Sequence, residues 1–208
     1  MSYDLSGKTI LVTGASRGIG AAIAKSCALA GAHVISHFNS HADGATENMK
    51  DIPDSHKSFI MQNLSEPGSG RQLWHKAIKA SKKIDIFINN AAVNIETPFD
   101  SAVDEWDKGW LETFQVNVYE PANIMKEALS HFQTQGAGVI ISMSSWSGQR
   151  GSALPTLPAY AASKAAVKAL TQTIAKNYAK DGVLAYVISP GIVKTRMSDL
   201  AAVVRGGE

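Results

Sequence analysis

The sequence predicts an α/β protein in which a parallel sheet of six strands lies between layers of helices. Short, β-branched apolar runs alternate with longer segments of helical periodicity, as successive strand–helix–strand units require. The strand runs are apolar almost throughout, as strands covered on both faces are. The segments that follow the strands are rich in Gly, Ser, Asn and Pro, which gathers polar chemistry at one edge of the sheet.

The elements follow in chain order. Strands are read in "KTILVT" from Lys8, "HVISHF" from His33, "KSFIMQ" from Lys57, "IDIFIN" from Ile84, "GVIISM" from Gly138 and "VLAYVI" from Val183. Helical segments fall between them, at Ile19 to Ala30, Ala42 to Lys50, Ser69 to Ser81, Asp104 to Phe132 and Pro158 to Lys180. Pro158 suits a helix start, since its missing N–H and fixed φ cost little in the first turn. No linker or repeat interrupts the series. A chain of 208 residues, 45% of them hydrophobic, is enough for one well-packed domain, so residues 1–208 are read as a single domain.

Composition narrows the function. The net charge is +2 and no run of Lys or Arg marks a nucleic-acid or polybasic membrane surface, which leaves small molecules as the expected partners. No apolar run nears the roughly 20 residues that span a bilayer, and the start lacks the pattern of a secretory leader, so a soluble, cytoplasmic protein is expected. Cys27 is the only cysteine, which rules out an intrachain disulfide. His37 and His41 have a spacing that suits zinc on a helix, but "ISHFNSH" reads as a strand end entering a loop, and no metal site is expected.

Two stretches carry chemistry. The first strand runs into "TGASRGIG" and then a helix. Gly14, Gly18 and Gly20 allow a tight turn and close approach of backbone to a ligand, while the helix N-terminus offers free N–H groups to a diphosphate. The spacing G-x-x-x-G-x-G differs from the common dinucleotide fingerprint G-x-G-x-x-G in its middle Gly. In "PAYAASKAAVKAL", Tyr160 and Lys164 stand four residues apart on one helical face, where phenol and ammonium can converge on a third group.

"TGASRGIG", "NNAA", Asn117, "SMSSWSG", "YAASK" and "SPGIVKT" together resemble the short-chain dehydrogenase/reductase family, in its order and at similar intervals along nearly the whole chain. The nearest general resemblance is to the reductases of acyl-carrier-protein ketoesters. The resemblance implies a Rossmann-type three-layer fold, NAD- or NADP-dependent oxidoreduction, and a homodimer or homotetramer. It makes Tyr160 the general acid in reduction and base in oxidation, with Lys164 lowering the phenol pKa and holding the nicotinamide ribose. A positively charged nicotinamide would lower that pKa further. Ser145, aligned on the family's Ser-Ser-x-x-Gly pattern, becomes the hydroxyl that polarises the substrate oxygen, with Ser144 as the alternative register. Asn117 matches an Asn that supports a water-mediated proton path to the Lys; it could equally satisfy buried backbone near Pro121.

The same resemblance assigns the cofactor contacts. Gly14, Ser16, Arg17, Gly18, Ile19 and Gly20 form the phosphate turn, and Phe38, Asn39 and Ser40 follow the second strand. Asn63 and Leu64 lie by the adenine; Asn63 replaces an Asp common in the family. Asn90, Ala91 and Ala92 line the cofactor, with Ala92 replacing a Gly, a swap that would strain the turn only at positive φ. Pro190, Gly191, Ile192, Val193 and Thr195 close over the nicotinamide. Phe38 stands where an NAD-selective acid would be, and Arg17, Asn39 and Ser40 can donate to a 2′-phosphate, so the cofactor is read as NADP(H) in preference to NAD(H). Asn94, Ile95, Trp146, Gln149, Ala153 and Ile192 are candidates to face a ketone or secondary alcohol. The alternative is a nucleotide-binding regulatory or scaffold protein that keeps the fold without turnover.

Family members continue past "SPGIVKT" through a helix pair and a seventh strand, whereas "RMSDLAAVVRGGE" is what remains here. Either part of the natural protein lies beyond this sequence, which is the expectation, or the member is short, with an open substrate pocket and a bare sheet edge.

Overall fold

In a computed structural model, residues 3–193 are described. They form a six-stranded sheet of β1 (Thr9–Val12), β2 (His33–Phe38), β3 (Lys57–Met61), β4 (Ile86–Asn89), β5 (Gly138–Met143) and β6 (Val183–Ile188). The strand order is β3-β2-β1-β4-β5-β6, and every neighbouring pair is parallel. Helices α1 (Gly18–Leu29), α2 (Ala42–Asn48), α3 (Ser69–Ser81), α4 (Val103–Phe114), α5 (Glu120–Gln135), α6 (Ser147–Arg150) and α7 (Pro158–Tyr178) connect the strands. No helix among the described residues is long and apolar enough to cross a membrane.

Because side chains alternate across a strand, the sheet sorts its apolar residues into two cores. Leu11, Ile35, Phe87 and Ile140 face one side and pack with Leu73, Trp74 and Phe132 of α3 and α5. Ile10, Val12, Val34 and Ile88 face the other side and pack with Ala24 and Ala28 of α1. On that second side the parallel register continues through Val139 to Leu184. Leu184, Tyr186 and Ile188 there stay about half exposed among the described residues.

Between α4 and α5 the helix widens into a π turn over Gln115–Tyr119, where the Glu120 amide donates to the Gln115 carbonyl. The continuous helix expected over residues 104–132 is thus divided. The reason is Pro121: it has no N–H for the Asn117 carbonyl, and one extra residue in the turn accommodates the lost bond. Directly after the turn, Glu120 is 1% exposed and accepts from the amides of Gly68 and Gly70 at 2.8 and 2.6 Å, and from the side chains of Gln115 and Asn123. Its carboxyl group closes the start of α3, which has no side-chain cap of its own.

β1 and β4 are neighbours, and the connections leave them in opposite directions across the sheet. The crevice outside their carboxyl ends is where open sheets of this kind take ligands. Both stretches singled out for chemistry reach this end.

Candidate active site

Beyond β1, Thr13 is fully buried, and its hydroxyl donates to the Ile88 carbonyl at 3.3 Å. It accepts from the amides of Asn90 and Ala91 at 3.0 and 3.1 Å. The Asn90 side chain answers by donating to the carbonyls of Thr13 and Gly14 at 2.8 and 3.2 Å. The turn after β1 and the segment after β4 are thereby stitched together. Gly14 needs to be glycine: its φ is +67°, and a Cβ there would lie 2.9 Å from the Ala91 Cα. A Cβ on Gly20 would overlap the Gly14 carbonyl oxygen. Ala92 does not have positive φ, so the strain considered for it is not present.

The amides of Gly14 and Ala15 turn inward, to Nδ1 and the carbonyl of His37 at 3.2 and 2.8 Å. Those of Ser16, Arg17, Gly18, Ile19 and Gly20 have no acceptor among the described residues. Arg17 precedes α1 in extended conformation, no side chain caps the helix, and its first turn holds no acid. Arg17 is exposed and has no acidic partner among the described residues, and Asn39 and Ser40 are exposed beyond a buried Phe38. Uncapped amides at a helix start, with a free guanidinium beside them, suit a diphosphate and a further phosphate. The residues present therefore fit a phosphorylated dinucleotide.

Other proposed cofactor contacts are less open. Leu64 is buried, and the Asn63 side-chain oxygen accepts from the amide and hydroxyl of Ser65 at 3.0 and 2.8 Å, which closes a local turn. Pro190 accepts from the Trp146 amide at 3.0 Å, which ties the segment after β6 to the one after β5, while Gly191, Ile192 and Val193 are exposed. Thr195 lies outside the described residues. An open groove of about 640 Å³ runs between α1 and this segment, lined by Ile19, Ile23, Cys27, Pro190 and Val193. Its lining does not include Ser145, Tyr160 or Lys164.

The reactive groups come from α7 and the segment after β5. Lys164 Nζ lies 5.8 Å from the centre of the Tyr160 ring and donates to the Met143 carbonyl at 2.9 Å. The two serines separate clearly. Ser144 is 5% exposed and donates to the Lys164 carbonyl at 2.8 Å, so it anchors the loop on α7. Ser145 accepts from the Ser147 amide at 3.1 Å and interacts with the Tyr160 side chain. Asn117, 2% exposed, accepts from the Val93 amide at 2.8 Å and donates to the Val93 carbonyl and the Ser163 hydroxyl, both at 3.0 Å. Ser163 in turn donates to the Tyr160 carbonyl at 2.7 Å. Asn117 therefore binds the segment after β4 to the Tyr-bearing helix, and the backbone it satisfies is that of Val93, not the stretch near Pro121.

The electrostatics depart from expectation in one respect. Burial raises the Tyr160 pKa, and the Ser145 interaction opposes this. Burial also lowers the Lys164 pKa, to about 8. A buried ammonium loses hydration, which disfavours the charge that was to act on the phenol.

Of the candidates to face a substrate, Trp146, Gln149, Ala153 and Ile192 are exposed, while Asn94 and Ile95 are partly covered. The Arg150 guanidinium lies 5.3 Å from the centre of the Trp146 ring. The Asn94 side-chain oxygen is buried without a partner among the described residues. Thr13, His37 and Ser163 were not marked as site residues by sequence reasoning. Thr13 precedes the glycines and Ser163 precedes Lys164, so position offered a signal; for His37 nothing along the chain predicts that its ring reaches Gly14.

The family model described as "short chain dehydrogenase" matches residues 8–202. The 3beta-hydroxysteroid dehydrogenase 1 of Eggerthella lenta is 32% identical over 205 residues, covering 94% of this chain and 74% of that protein. A crystal structure of 3-oxoacyl (acyl-carrier-protein) reductase from Agrobacterium tumefaciens with NADP bound aligns with a TM-score of 0.87 at 31% identity, covering 99% of this chain and 78% of that one. A putative NAD(P)-dependent gluconate 5-dehydrogenase from Beutenbergia cavernae, also with bound NADP, aligns with a TM-score of 0.87 at 28% identity, covering 100% and 81%.

Proposed function

The chain belongs to the short-chain dehydrogenase family, and from that premise we propose that it moves a hydride between NADP(H) and a ketone or secondary alcohol. The observation that carries this reading is the meeting of Tyr160, Lys164 and Ser145 at the sheet edge that also presents the uncapped glycine turn. Arg17, with Asn39 and Ser40, favours the 2′-phosphate of NADP(H), and NADP is present in two of the similar structures. The substrate is a small molecule, and a homodimer or homotetramer is the assembly in keeping with the family. Residues 1–208 then act as one dinucleotide-binding domain.

When bound, NADPH supplies the hydride that reaches the carbonyl carbon. The chain's own part is to manage the oxygen. Ser145 donates a hydrogen bond to the substrate oxygen and holds it beside the phenol. Tyr160 gives its proton to that oxygen as negative charge develops there, and regains one from solvent; in the oxidative direction it takes the proton from the alcohol. Lys164, once its ammonium meets polar ligand groups, favours the phenolate form of Tyr160. Asn117 and Ser163 are positioning residues that fix α7 against the segment after β4.

Tyr160→Phe tests the mechanism. It removes one oxygen from a partly buried side chain and leaves the phosphate turn alone. NADPH-dependent reduction, followed by absorbance against ketones, ketoacyl thioesters and sugars, should fall by about 10²-fold or more. NADPH affinity should stay within a few-fold. A variant as active as the wild type would rule out this role for Tyr160.

A further inference from the structure

His37, at the end of β2, takes no part in the chemistry assigned to Tyr160, yet it touches the root of the glycine turn. Its ring is 2% exposed. Nδ1 accepts from the Gly14 amide at 3.2 Å, and Nε2 faces the Gln62 carbonyl at 2.9 Å. An amide N–H can only donate and a carbonyl can only accept, so these contacts admit one form of the ring, neutral with its hydrogen on Nε2. The other tautomer would set two donors against each other at Gly14 and two acceptors at Gln62. Burial supports the neutral form by pushing the pKa down to about 4. The same residue's carbonyl holds the Ala15 amide at 2.8 Å.

Residue 37 therefore divides the turn. Two successive amides point inward to it, and the next five, from Ser16 to Gly20, have no acceptor among the described residues. The ring is braced from behind: Gln62 accepts from Lys76 Nζ at 2.7 Å, and its amide reaches Gln72 at 3.4 Å. These contacts join the ends of β2 and β3 to α3.

We propose that His37 is a positioning residue for dinucleotide binding, its Nδ1 lone pair holding the Gly14 amide inward so that the remaining amides of the turn present themselves to the diphosphate. This rests on the reading above that the chain binds NADP(H), and the test keeps the two apart. In His37→Asn the side-chain oxygen stands near the place of Nδ1 and can still accept from Gly14. In His37→Gln the amide reaches the place of Nε2 and serves Gln62 but not Gly14. NADPH titration by fluorescence should find the Asn variant within about threefold of the wild type and the Gln variant weaker by about tenfold or more. A Gln variant binding as tightly as the Asn variant overturns the proposal.

If the wild type itself fails to bind NADPH, the functional reading falls, and the tautomer still decides whether His37 holds Gly14. Nitrogen-15 spectra of the ligand-free wild type should show Nδ1 unprotonated and Nε2 protonated at pH 7; the reverse overturns the proposal. Should neither variant fold, the same wild-type sample is titrated with NADPH. The Gly14 amide and His37 Nδ1 resonances should shift as the turn is loaded, and unmoved resonances would count against the role.

Discussion

Lys164 enters the fold at a cost. Its ammonium is buried and, in the chain alone, meets the Met143 carbonyl as its polar partner, so its pKa falls from the ordinary 10.5 to about 8. Below pH 8 both folded and unfolded chains carry the charge, and the penalty for burying it is fully present. Between pH 8 and 10.5 the unfolded chain binds the extra proton, so folding stability rises with pH across that window. Lys164→Met lacks this rise. The stability difference between wild type and variant, from urea unfolding at pH 7 to 10.5, should move by about 3 kcal/mol in favour of the wild type as pH increases. A pH-independent difference would show that the ammonium is better solvated than its burial implies. The same burial was not legible in the sequence: spacing shows that Tyr160 and Lys164 share a helical face, but not how much water that face retains. The choice between Ser144 and Ser145 had the same origin, since two adjacent hydroxyls differ only in which one turns toward the α7 backbone.

Among the elements, those bounded by strong local signals were legible in the sequence. β2, β5 and β6 have the predicted limits because β-branched runs there stop at turn residues. The start of α7 is fixed by Pro158 in the same way. The π turn over Gln115–Tyr119 was not legible, because one added residue barely alters the helical pattern of apolar positions. Pro121 was the available signal, since it removes a donor four residues on from Asn117. The four-residue α6 is too short for periodicity to register. Glu120 shows what the π turn supports, because its carboxyl group leaves α5 and satisfies two amides at the start of α3. Glu120→Ala strands those amides and the side chains of Gln115 and Asn123. It should cost about 2–4 kcal/mol in urea unfolding, while an exposed acid such as Glu47 changed to Ala costs little. A loss below about 1 kcal/mol would mean that water replaces the carboxyl group.

For the whole molecule, ligand binding and stability are linked through the crevice between β1 and β4. The segments after β1, β4 and β5 meet at one edge, so a ligand seated there stabilises the folded chain by mass action. NADPH at 100 times its dissociation constant should add about 2.7 kcal/mol, which for a chain of this size raises the melting temperature by roughly 5–10 °C. If Arg17 receives a 2′-phosphate, NADH at the same concentration should raise it less. Equal shifts in a thermal melt would remove the preference for NADP(H), and no shift with either would remove the cofactor reading. The sequence revealed which segments would gather at this edge because each follows a strand. It could not reveal the ties of Thr13 to Asn90 or of His37 to Gly14, which join residues far apart in the chain.

The strand order also bears on how the molecule comes into being. β1 precedes the other five strands in the chain yet lies inside the sheet, and its second neighbour is β4, with all of β2 and β3 synthesised in between. A growing chain that has not yet released Ile86 to Asn89 carries its central strand with one side bare, and Thr13 waits for a partner 77 positions downstream. Long-range closure of this kind is slow and leaves an exposed edge open to wrong pairing. The crevice proposed to hold the dinucleotide is therefore absent until β4 has emerged, although Gly14, Gly18 and Gly20 beside it precede all of β2 and β3 in the chain.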